Sequence, residues 1–183
     1  MKICILGYSG SGKSTLARCL GDFYGIPVLF LDTVQFLPGW LERDRDEARA
    51  LVREFLQNGS WVIDGNYRAF LQEERLRQAD RILILQLNRF VCLWQAFRRY
   101  RRYKNMVRES MADGCCEKLD AEFIRWLLFD GRTRARRAHL RQIAAQYPSK
   151  TLVFKNRRAV NAFTRALSAP GPEAAGRPET NRK

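Results

Sequence analysis

A glycine-rich segment near the start of the chain restricts the available folds more than any other feature. The segment Gly7–Thr15 reads GYSGSGKST and matches the pattern G-x-x-x-x-G-K-[ST]. A short apolar run, Lys2–Leu6, precedes it, and Ser14–Tyr24 follows with apolar residues at helical spacing. A strand, a glycine turn and a helix in this order are the context in which the pattern forms a phosphate-binding loop. The segment therefore predicts an α/β fold with this loop at the end of a strand.

The residue types in the loop suit the phosphates of ATP. Glycines allow consecutive backbone N–H groups to face phosphate oxygens, and the positive end of the next helix points at the same anion. We predict that Lys13 reaches the β- and γ-phosphates and acts in catalysis, and that Ser14 holds Mg²⁺. The expected ligands are thus ATP and Mg²⁺. The predicted nucleotide-binding residues of the loop are Gly7, Ser9, Gly10, Ser11, Gly12, Lys13, Ser14 and Thr15.

Short apolar runs alternate with amphipathic segments along the rest of the chain. Further strands are predicted at Pro27–Leu31, Trp61–Ile63, Arg81–Leu87 and Thr151–Phe154. Further helices are predicted from Asp44 to about Gln57, at Phe70–Gln78, after Asn88, and at Asp120–Phe129 and Arg132–Gln146. A last helix is predicted after the strand Thr151–Phe154 and ends at about Leu167. In the helix after Asn88, we expect Phe90, Leu93, Trp94 and Phe97 to face inward. The alternation predicts a three-layer α/β fold with a five-stranded parallel sheet.

Polar residues follow the predicted strands, where ligands of parallel sheets bind. Asp64 ends one strand and is predicted to order Mg²⁺ beside the loop; its alternative role is to cap a turn with Gly65. Asp32 ends another strand. It is predicted to accept a proton from an attacking hydroxyl or to help hold the metal, and its alternative role is the N-cap of a short turn.

Two groups of arginines could bind the transferred phosphoryl group. Arg43, Arg45 and Arg68 are predicted on the acceptor side. Arg132 and Arg136 are four residues apart, so we expect them on one helical face, where they would stabilise the charge of the transition state. The alternative for each arginine is a solvated helix face, and we expect only some of them to be functional.

The positive charge is concentrated in one half of the chain. The net charge is +14, residues 1–88 are neutral, and residues 89–168 carry +13. This asymmetry indicates a polyanionic partner such as nucleotide phosphates or nucleic acid. The segment Arg98–Lys104 interleaves arginines with tyrosines, a pattern compatible with nucleic-acid binding. The simpler interpretation is the solvated end of an amphipathic helix.

Several of these segments together resemble the adenylate-kinase-like branch of P-loop kinases, and more closely the bacterial DNA topology modulation protein family. The resemblance covers about residues 1–167. The likeness to the adenylate-kinase-like branch is carried by the glycine loop, Asp32, Ile63–Arg68 and the arginines of residues 131–137. The closer likeness is carried by Gly7–Thr15, Leu31–Thr33 with Phe36–Trp40, Trp61–Tyr67, Met111–Cys115 and Asp130–Arg137.

The resemblance implies an adenylate- or shikimate-kinase-like fold and further site residues. Asp64-Gly65-x-x-Arg68 looks like an acceptor-nucleotide motif, in which Asn66 and Tyr67 replace the usual bulky-residue–proline pair. Asn156 and Arg157 would lie beside the adenine. The full predicted acceptor set is Asp32, Arg43, Arg45, Asp64, Gly65, Asn66 and Arg68. The family name itself implies an effect on DNA topology.

We expect one domain, residues 1–168, followed by a disordered tail at 169–183 that is rich in Pro, Gly, Glu and Arg. Within the domain, residues 33–59 would form an acceptor-binding insert and residues 105–137 a lid. No apolar run is long enough to span a membrane, and the five cysteines form no C-x-x-C pair. These features favour a cytoplasmic protein with reduced thiols, as a monomer or homodimer, without zinc.

These observations favour an ATP-dependent kinase that transfers the γ-phosphoryl group to a small acceptor, with nucleotides among the candidates. The alternative is a nucleic-acid-binding ATPase or regulator that uses the basic half 89–168. A third alternative is a nucleotide-binding protein that transfers no phosphate.

Overall fold

The computed structural model describes residues 1–104, 110–112, 114–115, 117 and 119–168. Its strands are β1 (Lys2–Gly7), β2 (Val28–Phe30), β3 (Phe36–Leu37), β4 (Leu41–Glu42), β5 (Trp61–Asp64), β6 (Arg81–Leu85) and β7 (Thr151–Phe154). Its helices are α1 (Lys13–Tyr24), α2 (Leu31–Gln35), α3 (Arg45–Phe55), α4 (Gln72–Gln78), α5 (Arg89–Tyr103), α6 (Ala121–Leu128), α7 (Arg134–Gln146) and α8 (Arg157–Ser168).

The five longer strands form one parallel sheet in the order β2, β5, β1, β6 and β7. Strand β1 lies at the centre, and its Ile5 pairs with Asp64 of β5 and with Leu83 of β6. The side chains of β1, β5 and β6 are almost wholly buried, as their aliphatic composition requires when helices cover a parallel sheet. The predicted α/β fold with a five-stranded parallel sheet is confirmed.

Side-chain caps fix the beginnings of several helices, among them α3, α5 and α6. The carboxylate of Asp44 accepts hydrogen bonds from the N–H groups of Asp46 and Glu47. Asn88 and Asp120 cap α5 and α6 in the same way. Short polar side chains at these positions satisfy N–H groups that the first turn of a helix leaves without carbonyl partners. The predicted beginnings at Asp44, Asn88 and Asp120 are confirmed.

The prediction for the inward face of α5 is wrong at three of its four residues. Phe90, Trp94 and Phe97 are 68%, 60% and 39% exposed, whereas Cys92 and Ala96 are buried. The backbone of α5 lies against the glycine loop: a Cβ added to Gly10 would be 2.5 Å from the carbonyl oxygen of Cys92. Only small side chains fit in so close a contact, so the large rings point away from it.

The predicted helix Arg132–Gln146 is present as α7, but it begins two residues later than predicted. Residues Asp130–Arg132 form a 3₁₀ turn, and α7 begins after Thr133, whose hydroxyl accepts a hydrogen bond from the N–H of Arg136. Arg132 and Arg136 therefore do not share one helical face. A small antiparallel hairpin of β3 and β4, joined by a turn at Pro38–Trp40, was not predicted from the sequence.

Parts of the predicted lid and the whole predicted tail lie outside the described residues, namely 105–109, 113, 116, 118 and 169–183. In the part of the chain that the structure describes, no helix has the length and apolar character needed to cross a membrane.

Candidate functional site

The glycine loop turns from the end of β1 into α1. Its glycines Gly10 and Gly12 have positive φ angles of 72° and 91°. Gly12 is also the N-cap of α1 and supplies no side-chain hydrogen bond to the first turn, which contains Lys13, Ser14 and Thr15. The hydroxyl of Ser11 is buried and has no hydrogen-bond partner among the described residues. The loop thus presents an uncapped helix N-terminus, the arrangement that binds anions.

Gly7 begins the loop, and any side chain at this position would collide with the neighbouring strand β6. Its φ is 138°, and a Cβ at this position would lie 2.2 Å from the carbonyl oxygen of Leu85 on β6. The side chain of Asn66 pairs with both polar groups of the Gly7 backbone. The Gly7 N–H donates to Asn66 Oδ1 (2.9 Å), and Asn66 Nδ2 donates to the Gly7 carbonyl (2.6 Å). Asn66, predicted to bind the acceptor, therefore contacts the phosphate loop.

Ser14 and Asp64 meet at the carboxyl ends of β1 and β5. The hydroxyl of Ser14 donates to Asp64 Oδ2 at 2.7 Å, and Asp64 is only 5% exposed. A hydroxyl and a carboxylate oxygen at this separation are ligands that Mg²⁺ accepts, and Mg²⁺ takes its other ligands from water and substrate phosphates. The described residues hold no group of three or more His, Cys, Asp or Glu side chains suited to a metal, so this pair does not form an all-protein cage.

Two cations adjoin the loop. Lys13 Nζ donates to the carbonyl oxygen of Tyr8 at 3.1 Å, which holds the ammonium against the loop. A Cβ added to Gly12 would lie 2.7 Å from Arg157 Nη1, so the guanidinium of Arg157 contacts the loop from the start of α8. Gln95 of α5 approaches the same point, at 3.4 Å.

Arg132 and Arg136 reach the loop by different routes. The guanidinium of Arg132 lies over the ring of Tyr8 at 3.9 Å and donates to the carbonyl oxygens of Leu127 and Leu87. Its Nη2 is buried and has no hydrogen-bond partner among the described residues. Arg136 lies over the ring of Trp126 at 4.5 Å.

Trp126, the ring under Arg136, is itself bonded to the loop, because its indole N–H donates a hydrogen bond to Ser9 Oγ at 3.1 Å. Arg136 thus contacts the loop through an aromatic ring that is itself hydrogen-bonded to the loop. Tyr8, Trp126 and Gln95 were not predicted as part of the site. The chain offers no signal for Trp126, which is more than 100 residues from the loop.

Asp32 belongs to α2, immediately after β2. Its Oδ1 accepts a hydrogen bond of 2.8 Å from the hydroxyl of Tyr67. Burial, and next the charge of Asp32, raise the pKa of Tyr67 far above its usual range, so the phenol remains a donor at neutral pH. A half-buried carboxylate that accepts one hydrogen bond keeps other lone pairs free to accept a second hydrogen bond, from a substrate hydroxyl for example.

A cavity of about 340 Å³ lies beside α2 and the β3–β4 hairpin. Arg43 is the charged residue of its lining, which consists of Thr33, Phe36, Leu37, Pro38, Arg43, Met111 and Ala112. Arg43 donates to the carbonyl oxygen of Val34 (2.9 Å) and forms an ion pair with Glu47. Arg45, in the first turn of α3, is exposed.

Arg68 lies apart from that cavity. It is exposed and lines a second cavity of about 400 Å³ between α4 and α7, together with Gln72 and His139. Burial, and next the positive charge of Arg68, lower the pKa of His139. The structure therefore separates Arg68 from Arg43, with which it was grouped on the predicted acceptor side.

Arg75 supports the site from within the core, and the sequence did not indicate it. Its guanidinium is fully buried and donates to three carbonyl oxygens, those of Phe70 (2.8 Å), Gly65 (3.3 Å) and Tyr67 (2.6 Å). Burial lowers its pKa. These bonds shape the segment 65–70, which in turn supplies Asn66 to Gly7 and Tyr67 to Asp32.

Asn156 caps α8, since its Oδ1 accepts a hydrogen bond of 2.9 Å from the N–H of Ala159. This bond occupies one lone pair of the amide oxygen and fixes the start of the helix that carries Arg157. Of the two residues predicted beside the adenine, Arg157 thus contacts the glycine loop, whereas Asn156 caps the helix that carries it.

The comparison with solved structures shows the fold. A shikimate kinase from Bacteroides thetaiotaomicron is 16% identical, with 92% of this chain and 96% of its own covered and a TM-score of 0.45. A candidate kinase from Chloroflexus aurantiacus is 15% identical, with 91% of this chain and 95% of its own covered and a TM-score of 0.51. The second likeness supports a P-loop kinase-like fold for this chain. No family model and no curated protein matches the sequence.

Proposed function

We propose that the chain is an ATP-dependent phosphotransferase that moves the γ-phosphoryl group of ATP to a small acceptor. The hydrogen bond between Ser14 and Asp64, beside the uncapped N-terminus of α1, carries this proposal. It joins the hydroxyl of the phosphate loop to a buried carboxylate on the neighbouring strand, the pair that holds Mg²⁺ in P-loop nucleotide-binding proteins.

On the donor side, each group has a separate task. The N–H groups of residues 9–15 and the ammonium of Lys13 would bind the β- and γ-phosphates, because they are concentrated at one helix end. Ser14 and Asp64 would hold Mg²⁺, which neutralises phosphate charge when it is bound. Arg132, Arg136 and Arg157 adjoin the loop and would stabilise the negative charge on the transferring group.

On the acceptor side, Asp32 is the candidate general base. Tyr67 fixes the carboxylate of Asp32 by a hydrogen bond to Oδ1. Thr33, the residue after Asp32, lines the cavity together with Arg43. A hydroxyl acceptor in that cavity could lose its proton to Asp32 as the phosphoryl group transfers. Arg45 could reach a charged acceptor from the rim, whereas Arg68 faces the other cavity.

The names of the two structural neighbours, a shikimate kinase and a candidate kinase, agree with this class of reaction. Membership of the DNA topology modulation protein family rests on the resemblance of the segments described above, and we keep it as a proposal.

The test is nucleotide binding and turnover by the full chain. Lys13→Ala should abolish tight ATP binding in calorimetry without lowering the melting temperature, because Lys13 is not part of the core. Asp64→Asn should preserve ATP binding without Mg²⁺ and remove the gain in affinity that Mg²⁺ provides. Lys2→Ala, at the start of β1 and therefore at the opposite end of that strand from the loop, is the control. Unchanged ATP affinity in Lys13→Ala would overturn the assignment of the loop.

ADP production measured across a panel of nucleoside monophosphates, nucleosides and small polyols then identifies the acceptor. An Asp32→Asn variant should lose stimulation by the active acceptor while it retains ATP binding. If no acceptor stimulates ADP release although ATP binds, the protein binds nucleotide without transferring phosphate.

A further inference from the structure

The outward side of α5 carries large aromatic rings and arginines that are exposed to solvent. We call Phe90, Trp94, Phe97, Arg98 and Arg101 the α5 outer face. The three rings are exposed, and Trp94 and Phe97 stack on each other with ring centroids 6.0 Å apart. Arg98 and Arg101 are exposed and form no ion pair within the described ranges. A contiguous group of exposed rings beside polar residues is typical of an interaction surface.

Rings and guanidinium groups occupy the same side of this helix. At roughly 100° per residue, the angular position of Arg101 falls between those of Phe90 and Trp94, and Arg98 is the next of these residues around the helix. The three rings precede the two arginines along the chain. Along the axis the face spans about 16 Å, from the rise of roughly 1.5 Å per residue. The opposite side of α5 is fixed, because Cys92 and Gln95 contact the glycine loop. The outer face is therefore a rigid surface that presents flat apolar groups and positive charges side by side.

We propose that the α5 outer face binds single-stranded nucleic acid. Each unpaired nucleotide offers a base with an apolar face and a phosphate with a negative charge, which matches a helix side that carries both exposed rings and arginines. The sequence of α5 contains no acidic residue, and it lies in the half of the chain that carries +13. The charge complementarity therefore points to a polyanion. The inference does not depend on the phosphotransferase proposal, because it uses other residues and another ligand.

The same observations disfavour two other occupants. A helix that lies on a membrane separates its apolar side from its charged side, whereas here Arg98 and Arg101 are on the same side of the helix as the rings. A second copy of the chain would bring Arg98 and Arg101 of both copies together without an acidic partner on either helix. Both alternatives predict results that the following experiment distinguishes.

The experiment measures fluorescence anisotropy of a labelled oligothymidylate of about 15 nucleotides, titrated with the full chain. A Trp94→Ala/Phe97→Ala variant should lose about tenfold or more in affinity, because it removes two stacking surfaces. Phe23→Ala is the matched control. Phe23 is an exposed aromatic residue on α1, and its loss should leave the affinity unchanged.

The contribution of charge is measured separately, at about 50 and 200 mM salt. The Arg98→Ala/Arg101→Ala variant should bind more weakly, and the slope of log affinity against log salt should become shallower by about 1.4. Arg53→Ala/Arg81→Ala removes two exposed arginines of the neutral half and should leave the slope unchanged. This pair also keeps the proposal testable if the ring variant does not fold.

Three results would overturn the proposal. The first is unchanged affinity for the oligothymidylate in both α5 variants, which would show that nucleic acid binds at another surface. The second is binding to anionic phospholipid vesicles, lost in the ring variant, with no binding of the oligonucleotide. The third is a dimer in sedimentation velocity that the ring variant converts to a monomer, again without oligonucleotide binding.

Discussion

The side-chain amide of Asn66 pairs with the backbone of Gly7 as a neighbouring strand would. One bond joins the Gly7 N–H to Asn66 Oδ1, and the other joins Asn66 Nδ2 to the Gly7 carbonyl, at 2.9 and 2.6 Å. Gly7 is the last residue of the central strand and the first of the phosphate loop. Asn66 therefore extends the pairing between β5 and β1 beyond Asp64, and it fixes the direction in which the loop leaves the sheet.

Asn66→Ala should weaken ATP binding by about tenfold, because two hydrogen bonds of roughly 1 kcal/mol each no longer hold the loop in place. Calorimetry of ATP binding measures the effect. Asn58→Ala is the control, since Asn58 also bonds a carbonyl oxygen, that of Phe55, but at the exposed end of α3. Equal ATP affinity in the two variants would show that the loop holds its shape without Asn66.

Arg75→Met should lower the free energy of unfolding by about 3 kcal/mol, because three carbonyl oxygens of the segment 65–70 lose their donor inside the protein. Urea unfolding followed by circular dichroism measures it. Arg77→Met, on the exposed side of the same helix, should cost much less than Arg75→Met, since its ion pair with Glu74 is solvated. Similar losses in both variants would contradict the role assigned to Arg75.

Arg132→Ala and Arg136→Ala should reduce turnover more than ATP affinity, because a guanidinium beside the loop acts on charge that develops during transfer. We expect the larger loss, about 10²-fold or more, for Arg132, which contacts Tyr8 directly, whereas Arg136 acts through Trp126. Arg134→Ala, exposed in the first turn of α7, is the control. The measurements are turnover with the active acceptor and ATP affinity, and a parallel fall in both would contradict the prediction.

His139 should titrate below its usual pKa of 6.5, because burial and the charge of Arg68 both disfavour the imidazolium form. The folded protein then binds fewer protons than the unfolded chain between the two pKa values. Stability from this group is therefore present above about pH 6.5 and falls as the pH drops through that window. His139 is the single histidine of the chain, so NMR titration of its ring protons is unambiguous. Arg68→Ala should raise the pKa, and an unchanged value would exclude the charge effect.

The sequence predicted well wherever local chemistry decides the structure. The glycine loop, the capping residues Asp44, Asn88 and Asp120, and the parallel sheet follow from short-range patterns. The hydrogen bond between Ser14 and Asp64 also follows once β5 is adjacent to β1. The glycine loop that leads from β1 to Ser14, and the last residue of β5, Asp64, then lie at the same edge of the sheet. The sequence alone does not give that adjacency, since strand order depends on packing across the whole sheet.

The errors arose where tertiary contacts override local preference. The spacing of Phe90, Trp94 and Phe97 suits an inward face, but the contact between α5 and the glycine loop admits only small side chains such as Cys92 and Ala96. Arg75 resembled any other arginine of a polar helix, and nothing local shows that it fills the core. Asn66 looked like an acceptor contact because its motif describes residue spacing and not the direction of a side chain.

The sheet order has a consequence for how such a chain can change its substrate. The phosphate loop leaves the central strand, whereas the segment 33–59 connects β2, an edge strand that pairs only with β5, back to that same β5. Substitutions or length changes in this segment would disturb one edge of the sheet and leave the pairing of β1 with β6 intact. If this segment binds the acceptor, as we propose, the choice of acceptor can diverge or be redesigned by exchanging one edge segment, while the residues proposed to bind the donor stay unchanged.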